Sequence, residues 1–449
     1  MTARDVERVL RALSPVDAVQ TEALWSLWVA SAGAERGLTS ELLDVVVWQA
    51  VAKDYRAQVW CPPPGVAVCA GEYPLGVVLY PGVSPYAALG VREAEWIRHV
   101  VIVGTTGSGK TNLAFHLVRG LWQAGKPWLV FDWKRSYRDL RQLPDLRDVV
   151  VVTVARDVVP FHFNPLLPPP GMFAGEWLGK LVDVLKHAYF VGDGVEYVLR
   201  RAMDAVYETT GLLAGKPDAR PTFLQVKQVV ERTRLEGRMS LWKASAVRVL
   251  ESLCWRHGLG PVVNGPTWNY ADLLARPVVL ELDALADADK VFLTEALILW
   301  LYEYRKRHAV RDVFAHALVL EEAHHVLSAA KERAAGSETI METCLRQIRE
   351  FGEAVLVLDQ EPSKLSHSIR ANTATKISLA LGTGRDIAEM ASALGLDAET
   401  TPWLGRLPIG HGLMTLHPRI TQPVQVRFPF VALRKGVVTD AALAGLHTR

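Results

Sequence analysis

The sequence predicts an α/β fold with a mainly parallel sheet, and three features of the chain support this. Short, almost continuously apolar runs at 99–103 and 128–132 are typical of strands buried on both faces of a parallel sheet. Between these runs lie a glycine-rich loop and a helix with one apolar face, so the segment has the order of a βαβ unit. Half of the 449 residues are apolar, enough for two or three packed units.

The first 90 residues are predicted to form an N-terminal appendage that is helical and rich in proline. Apolar residues recur at helical spacing over 4–30 and 39–56. A proline-rich stretch with short β-like runs follows, from Cys61 to Pro85. This composition differs from that of the βαβ segment, so we expect a separate unit.

The rest of the chain is predicted to form a core in two parts, divided by a helical insertion. The expected limits are 91–165 for the first core part, 166–284 for the insertion, 285–430 for the second core part and 431–449 for a C-terminal tail. The insertion is predicted from apolar residues at helical spacing, which replace the βαβ rhythm.

Several elements within these limits have signals of their own. Thr222 and Gln225 match a capping box, which predicts the start of a helix. An apolar run at 278–282 leads back into the core, and a long helix is expected near 288–308. Three further strands are predicted at 317–320, 354–359 and 376–381.

Charge, cysteines and hydropathy limit the classes of protein that remain possible. The formal net charge is only +2, so any contact with nucleic acid would have to be local. The four cysteines lack metal-ligand spacing and are expected to be reduced thiols, although Cys61 and Cys69 could pair under oxidation. Neither a secretory signal nor an apolar run of membrane-spanning length is found, so we expect a cytoplasmic protein without a membrane segment.

The strongest chemical signal is the segment 104–111, which matches G-x-x-x-x-G-K-[ST] between a strand and a helix. Its glycines let backbone N–H groups surround a phosphate, and the helix adds its positive amino end. Lys110 can reach the β- and γ-phosphates, and the Thr111 hydroxyl can ligate Mg²⁺. The cofactors predicted are therefore ATP and Mg²⁺. The nucleotide-binding residues predicted are Gly104, Thr105, Thr106, Gly107, Ser108, Gly109, Lys110 and Thr111.

A second signal is an apolar strand that ends in two acids, Glu321 and Glu322. This Walker B arrangement predicts that Glu321 helps to hold Mg²⁺ and that Glu322 activates the attacking water. The alternative is a strand end followed by a solvated acidic helix cap. His324 and His325 lack zinc-ligand spacing, so we expect His324 either to respond to the γ-phosphate or to pack.

Other polar residues have both a functional and a purely structural interpretation. Gln360 ends an apolar strand, where it could sense the γ-phosphate or be an ordinary polar residue. Arg346 and Arg349 share a helix face, as solvated charges or as arginine fingers for a neighbouring subunit. The basic residues after the second strand could contact DNA phosphates or form a solvated loop. Lys134 and Arg135 are the predicted DNA-binding residues, and Arg138 and Arg141 are further candidates.

Taken together, these residues resemble the HerA/FtsK superfamily of hexameric DNA-pumping ATPases. HerA-like proteins are the closer match, and the coupling ATPases of conjugation are related to them. The resemblance spans about 96 to 382. The stretches that carry it are Arg98-His99, 104–111, 131–134, 163–166, 320–324, 346–352, 360–363 and 372–376.

The resemblance implies a RecA-like core, a homohexameric ring with ATP sites at subunit interfaces, and double-stranded DNA in the pore. It assigns Glu322 as the catalytic base, Gln360 as the sensor and Arg349 as the first candidate finger, followed by Arg346 and Arg385. The chain departs from the family in Glu321, where Asp is common. It departs also in its first 90 residues, which do not resemble the small β-barrel to which a nuclease or other effector partner would dock.

The sequence therefore favours an ATP-hydrolysing motor that translocates double-stranded DNA, in DNA transfer, DNA processing or mobile-element defence. The alternative is an ATP-switched oligomeric scaffold that activates a partner effector without moving DNA. A protein-remodelling ATPase is less favoured, because no aromatic pore-loop pattern lies near Lys134. A transporter subunit is disfavoured by the lack of an LSGGQ-like signature.

Overall fold

The computed structural model describes residues 18–32, 35–39, 41–42, 61, 63–80, 83–265, 268, 270–335 and 338–447. The chain divides into two compact units, one of Met1–Pro62 with Tyr80–Ser84 and the other of Pro63–Leu79 with Pro85–Arg449. In the smaller unit, helix α1 spans Ala18–Ala30, which confirms the C-terminal part of the helix predicted at 4–30. Residues 4–17, and most of the helix predicted at 39–56, lie outside the described residues.

The larger unit is built around a sheet of eleven strands. In chain order the strands are β1 Tyr73–Tyr80, β2 Val83–Val91, β3 Val100–Val103, β4 Trp128–Asp132, β5 Val150–Thr153, β6 Val278–Glu281, β7 His316–Leu320, β8 Glu353–Asp359, β9 Thr375–Ser378, β10 His411–Leu416 and β11 Ile420–Arg427. Every residue of β3, β4 and β8 is buried, as expected for strands covered on both faces.

The strand order is β2-β1-β11-β10-β9-β3-β8-β7-β4-β6-β5. From β9 to β5 all neighbours are parallel, whereas β10 pairs antiparallel with β9 and with β11, and β11 pairs antiparallel with β1. The predicted α/β fold with a mainly parallel sheet is thus confirmed, and β3 lies in the interior of the sheet.

The antiparallel end of the sheet was not expected from the sequence. Strand β1 lies within 1–90 and β2 ends at Val91, so the sheet begins before the predicted core boundary at residue 91. Short β-like runs were predicted in this stretch, but their pairing with the core sheet was not. Gly76 is required here by close packing. A Cβ at Gly76 would lie 2.6 Å from the Arg427 carbonyl oxygen of β11.

The helices beyond α1 are listed here with their limits. They are α2 Val66–Cys69, α3 Glu93–Trp96, α4 Lys110–Gln123, α5 Ala174–Tyr189, α6 Asp193–Thr210, α7 Phe223–Arg232, α8 Arg238–Cys254, α9 Gly260–Val263, α10 Tyr270–Ala275, α11 Asp287–His308, α12 Ala329–Ala335, α13 Ile340–Ile348, α14 His367–Asn372, α15 Gly384–Leu394 and α16 Asp440–His447. No helix within the described ranges is long and apolar enough to cross a membrane.

The segment between β5 and β6 is helical, from α5 to α10. Helix α7 begins at the predicted capping box, where the Gln225 N–H donates to the Thr222 hydroxyl at 3.2 Å. Strand β6 lies within the predicted insertion 166–284 but pairs with β4 and β5, so the helical part ends before residue 278. Helix α11 follows as predicted and is buried over most of its length.

Candidate active site

The loop 104–111 joins β3 to α4 and requires glycine at several positions. Gly107 and Gly109 have φ values of 83° and 111°, which residues with a Cβ rarely adopt. A Cβ at Gly104 would lie 2.6 Å from the Ser108 hydroxyl oxygen. The backbone thus forms a tight loop before the amino end of α4, which is the geometry of a phosphate site.

The Lys110 ammonium lies inside this loop. It donates to the carbonyl oxygens of Gly104 and Thr105, the latter at 2.9 Å. Burial lowers the pKa of Lys110, while the negative charges of Glu322 and Glu321 oppose that shift. The loop therefore sets a cation between the phosphate-facing backbone and two carboxylates.

Parallel strands bring the polar strand ends to the same edge of the sheet. Asp359, the last residue of β8, pairs in register with Val103, which precedes the loop. Glu321 and Glu322 follow β7, the other neighbour of β8. The fold therefore brings together the loop, both acids of the Walker B segment and Gln360, as the sequence predicted for neighbouring strand ends.

Four side chains form a chain of hydrogen bonds across this edge. The Thr106 hydroxyl donates to Gln360 Oε1 at 2.5 Å, and Gln360 Nε2 donates to Glu322 Oε1. Lys134 Nζ forms an ion pair with the same Glu322 oxygen. Glu322 itself has a left-handed backbone, with φ 48°, uncommon for a residue with a side chain. The predicted base, the predicted sensor and a predicted DNA contact thus share one network.

Glu321 lies in a more buried, acidic environment. Its side chain accepts a hydrogen bond from the Tyr137 hydroxyl at 2.9 Å, and the Tyr137 N–H donates to Asp132 at 2.9 Å. Burial and the charge of Glu321 raise the pKa of Asp132, and burial also raises the pKa of Glu321. A divalent cation bound beside Glu321 would offset the cost of ionising this buried carboxylate. The Thr111 hydroxyl and the Glu321 carboxylate are hard oxygen ligands of the kind Mg²⁺ prefers, so the residues fit the predicted metal.

His324 and Asp359 form a second pair behind this network. Asp359 accepts hydrogen bonds from the His324 backbone N–H and from its Nδ1, each at 2.8 Å. Burial lowers the pKa of His324, but the hydrogen bond and the charges of Asp359 and Glu322 outweigh it, so the net pKa is raised. Neighbouring His325 packs instead, since its ring stacks on Trp133 at 4.4 Å. The sequence did not predict the contact between His324 and Asp359.

The candidate arginine fingers lie away from this chain's own cavity. Arg349 begins a 3₁₀ turn after α13 and is exposed, and Arg346 forms an ion pair with Glu338 at 3.0 Å. Arg385 is exposed in the first turn of α15. None of these arginines lines the cavity around the loop.

The basic residues after β4 divide into two groups. Lys134 is half-exposed and Arg135 partly so, and both line the cavity. Arg138 is buried and paired with Glu281 at 2.5 Å, and the Arg141 guanidinium donates to the Val149 carbonyl oxygen. Arg138 therefore stabilises the fold and is not available to contact DNA, contrary to the sequence-based expectation, whereas Arg141 is partly exposed.

A cavity of about 990 Å³ is lined by Glu321 and Glu322 and by residues between 409 and 440, some of which belong to the tail predicted at 431–449 without a role. Ile409, Phe428, Phe430 and Val431 form an apolar part of this lining. Asp440 of α16 pairs with Arg138 at 2.7 Å. No local sequence signal marked this segment, because its contacts involve residues about three hundred positions earlier.

The fold, the loop and the acids at the strand ends together define a P-loop protein of the RecA-like α/β class. Residues 89–170 match the family model described as the central domain of the helicase HerA. The recognition of a HerA/FtsK-type P-loop ATPase from the sequence is thereby confirmed. No curated protein matches the chain significantly.

Solved structures support the fold assignment over most of the chain. VirB4 of Thermoanaerobacter pseudethanolicus has a TM-score of 0.64 at 17% identity, covering 81% of this chain and 97% of that one. The bacterial conjugative plasmid coupling protein TrwB was solved with an ATP analogue, with a TM-score of 0.60 at 12% identity, covering 84% and 95%. TrwB with ADP and Mg²⁺ has a TM-score of 0.58 at 12% identity, covering 78% and 89%.

Proposed function

We propose that this protein is an ATP-hydrolysing motor that translocates double-stranded DNA through a homohexameric ring in the cytoplasm. One observation supports it above the others. The hydrogen-bonded chain from Thr106 through Gln360 to Glu322 links the phosphate loop to the predicted base, and it ends on a half-exposed cation, Lys134. Such a network can couple a phosphate in the loop to a charge at the open side of the site.

Each residue has a defined role in the proposed reaction. Lys110 and the loop N–H groups bind the β- and γ-phosphates, and Thr111 and Glu321 hold the metal. Mg²⁺, when bound, neutralises the charge that develops on the phosphates. Glu322 orients and deprotonates the attacking water, and Gln360 senses the γ-phosphate through its contact with Thr106. The TrwB complexes with ADP and Mg²⁺ and with an ATP analogue support this choice of cofactors.

We assign the arginine finger of each ATP site to the neighbouring subunit. Arg349 is exposed and does not line its own cavity, which suits an arginine that completes the next subunit's site. Arg346 is the second candidate, but it would first have to leave Glu338. Lys134 and Arg135 would contact DNA phosphates, which gives binding without sequence readout and with strong salt dependence.

The first experiment is the steady-state ATPase rate with and without linear duplex DNA. We expect stimulation by DNA that weakens between about 50 and 200 mM salt, because phosphate contacts are lost with added salt. Lys110→Ala should abolish hydrolysis together with ATP binding. A rate that is indifferent to duplex DNA would contradict the motor and favour the ATP-switched scaffold that activates an effector.

A second variant tests the assignment of the base. Glu322→Gln keeps the shape of the side chain but removes the proton acceptor, so hydrolysis should fall about 100-fold or more. ATP binding, measured by calorimetry, should persist, in contrast to Lys110→Ala. A Glu322→Gln protein that hydrolyses ATP at the normal rate would overturn this assignment.

A further inference from the structure

One apolar wall of the cavity includes two large side chains that are unusually exposed. Phe430 is 82% exposed and Ile409 is 79% exposed, although both line the cavity. Phe428 and Val431 extend the same wall and are buried. Exposed apolar groups that line a concave site indicate a surface for an apolar ligand face.

Hydrogen bonds hold this wall in a defined position relative to the phosphate loop. The Gly410 N–H, next to Ile409, donates to the Ser108 carbonyl oxygen at 3.1 Å. The Asn112 side chain donates to the Pro429 carbonyl oxygen at 3.0 Å and accepts from the Val431 N–H at 3.0 Å. Phe430 lies between these last two residues, so its backbone is held on both sides.

Asn112 connects the apolar wall to the phosphate site. Asn112 directly follows Thr111 in the first turn of α4, so the wall is attached to the same turn that begins at the phosphate site. A nucleotide with its phosphates in the loop and its γ-phosphate toward Glu322 must extend its base away from the acids. The apolar wall lines the same cavity and is bonded to Ser108 and Asn112, beside the phosphate loop.

We propose that Phe430 and Ile409 form a subsite for the purine ring of a nucleoside triphosphate, with Phe430 stacking on the ring face and Ile409 packing against it. The inference rests on the proposed function, since it takes the phosphates to bind at 104–111. Stacking on an aromatic ring tolerates any base but is strongest for the larger purine face. Both polar atoms of the Asn112 side chain are engaged with the main chain, so this residue does not read base edges. ATP and GTP should therefore bind with similar affinity, and CTP more weakly.

The test compares nucleotides with a probe that has phosphates but no base. Affinities for ATP, GTP, CTP and inorganic tripolyphosphate are measured by calorimetry with Mg²⁺ present, using the full chain. Phe430→Ala should weaken ATP and GTP binding about tenfold and leave tripolyphosphate unchanged, since only the base loses its stacking partner. Phe430→Trp should retain ATP binding, and Asn112→Ala should weaken ATP more than tripolyphosphate.

The control is Phe173→Ala, which removes an exposed phenylalanine of the helical segment that does not line the cavity. Phe173→Ala should change neither the affinity for ATP nor the affinity for tripolyphosphate. If Phe430→Ala leaves ATP binding unchanged, or weakens ATP and tripolyphosphate equally, the purine subsite is refuted. The proposed phosphate site would still be supported in that case if tripolyphosphate binds to the wild-type protein and Lys110→Ala abolishes that binding. If wild-type protein binds neither ATP nor tripolyphosphate, the subsite and the proposed function both fail.

Discussion

At the scale of single residues, the contacts of Glu322 bear most directly on activity. Its Oε1 atom accepts from Gln360 on one side and from Lys134 on the other. While these contacts hold, the Oε1 atom is engaged by two donors and is not free to accept a proton from water. If Lys134 moved to a DNA phosphate, Glu322 would be released to contact the attacking water, which would couple DNA binding to hydrolysis.

We therefore expect Lys134→Ala to raise the ATPase rate without DNA several-fold and to reduce its stimulation by duplex DNA. The reason is that Glu322 loses the cation that holds it, whether or not DNA is present. The measurement is the ATPase rate of the variant with and without linear duplex.

The control is Lys186→Ala, which removes a partly exposed lysine paired with Asp193 and Glu196 in the helical segment. Its rates should match wild type in both conditions. A Lys134→Ala protein with an unchanged basal rate and full stimulation by DNA would contradict this coupling.

At the scale of elements, His99 links β3, β8 and α13 at the amino end of β3. Its Nδ1 accepts from the Val355 N–H of β8 at 3.1 Å, so its Nε2 carries the proton and donates to the Leu345 carbonyl oxygen of α13 at 2.6 Å. His99 itself precedes β3 and has a left-handed φ of 66°. Burial, and then the nearby Arg349, lower its pKa to about 4, while the Leu345 contact and Glu353 oppose that shift.

This pKa predicts a loss of stability in acid. The folded pKa lies below the unfolded value of 6.5, so as pH falls the unfolded chain gains a proton that the folded chain rejects. Between about pH 7 and pH 4.5 the His99 contribution to the unfolding free energy should fall by roughly 2 to 3 kcal/mol. Urea denaturation at several pH values measures this.

The comparison for this prediction is His99→Asn, because asparagine tolerates a left-handed backbone and does not titrate in this range. We expect the variant to be less stable than wild type near neutral pH but to lose less stability on acidification. Equal losses in the two proteins would mean that His99 does not titrate as the structure indicates.

At the scale of the whole molecule, the candidate arginine fingers lie outside the cavity that contains the phosphate loop. The loop lies beside β8 and β9, whereas Arg349 follows α13 and is exposed outside the cavity. If Arg349 completes a neighbouring site, the reacting unit is a pair of subunits and a single chain should be nearly inactive.

Mixing two inactive variants tests this directly. Arg349→Ala should lower hydrolysis about 1,000-fold or more while ATP binding persists. Lys110→Ala lacks a working site but keeps its arginine, so mixed oligomers should regain activity at interfaces that join an intact site to an intact Arg349. Arg346→Ala is tested in the same way, because Arg346 is the second candidate for the arginine finger. No regained activity in mixed oligomers would mean that Arg349 does not act on a neighbour.

Much of the fold and of the candidate site could be predicted from local patterns. The glycine loop, the apolar runs at β3, β4, β7 and β8, and the capping box at Thr222 each depend on residues close together in sequence. The antiparallel strands β10 and β11 were missed, whereas β1 lies in a stretch where short β-like runs were predicted. Arg138 was misjudged as a possible DNA contact because its partner Glu281 is remote in sequence.

The sequence by itself determined the phosphate loop, because a loop that surrounds a phosphate needs small residues, a lysine and a hydroxyl at fixed neighbouring positions. It also determined that acids end the strands beside that loop. Only the tertiary structure decided that Lys134 contacts Glu322 and that Asn112 holds Pro429, a pair 317 positions apart. Such contacts leave no local periodicity, because the sheet order and the path of the C-terminal segment bring the partners together.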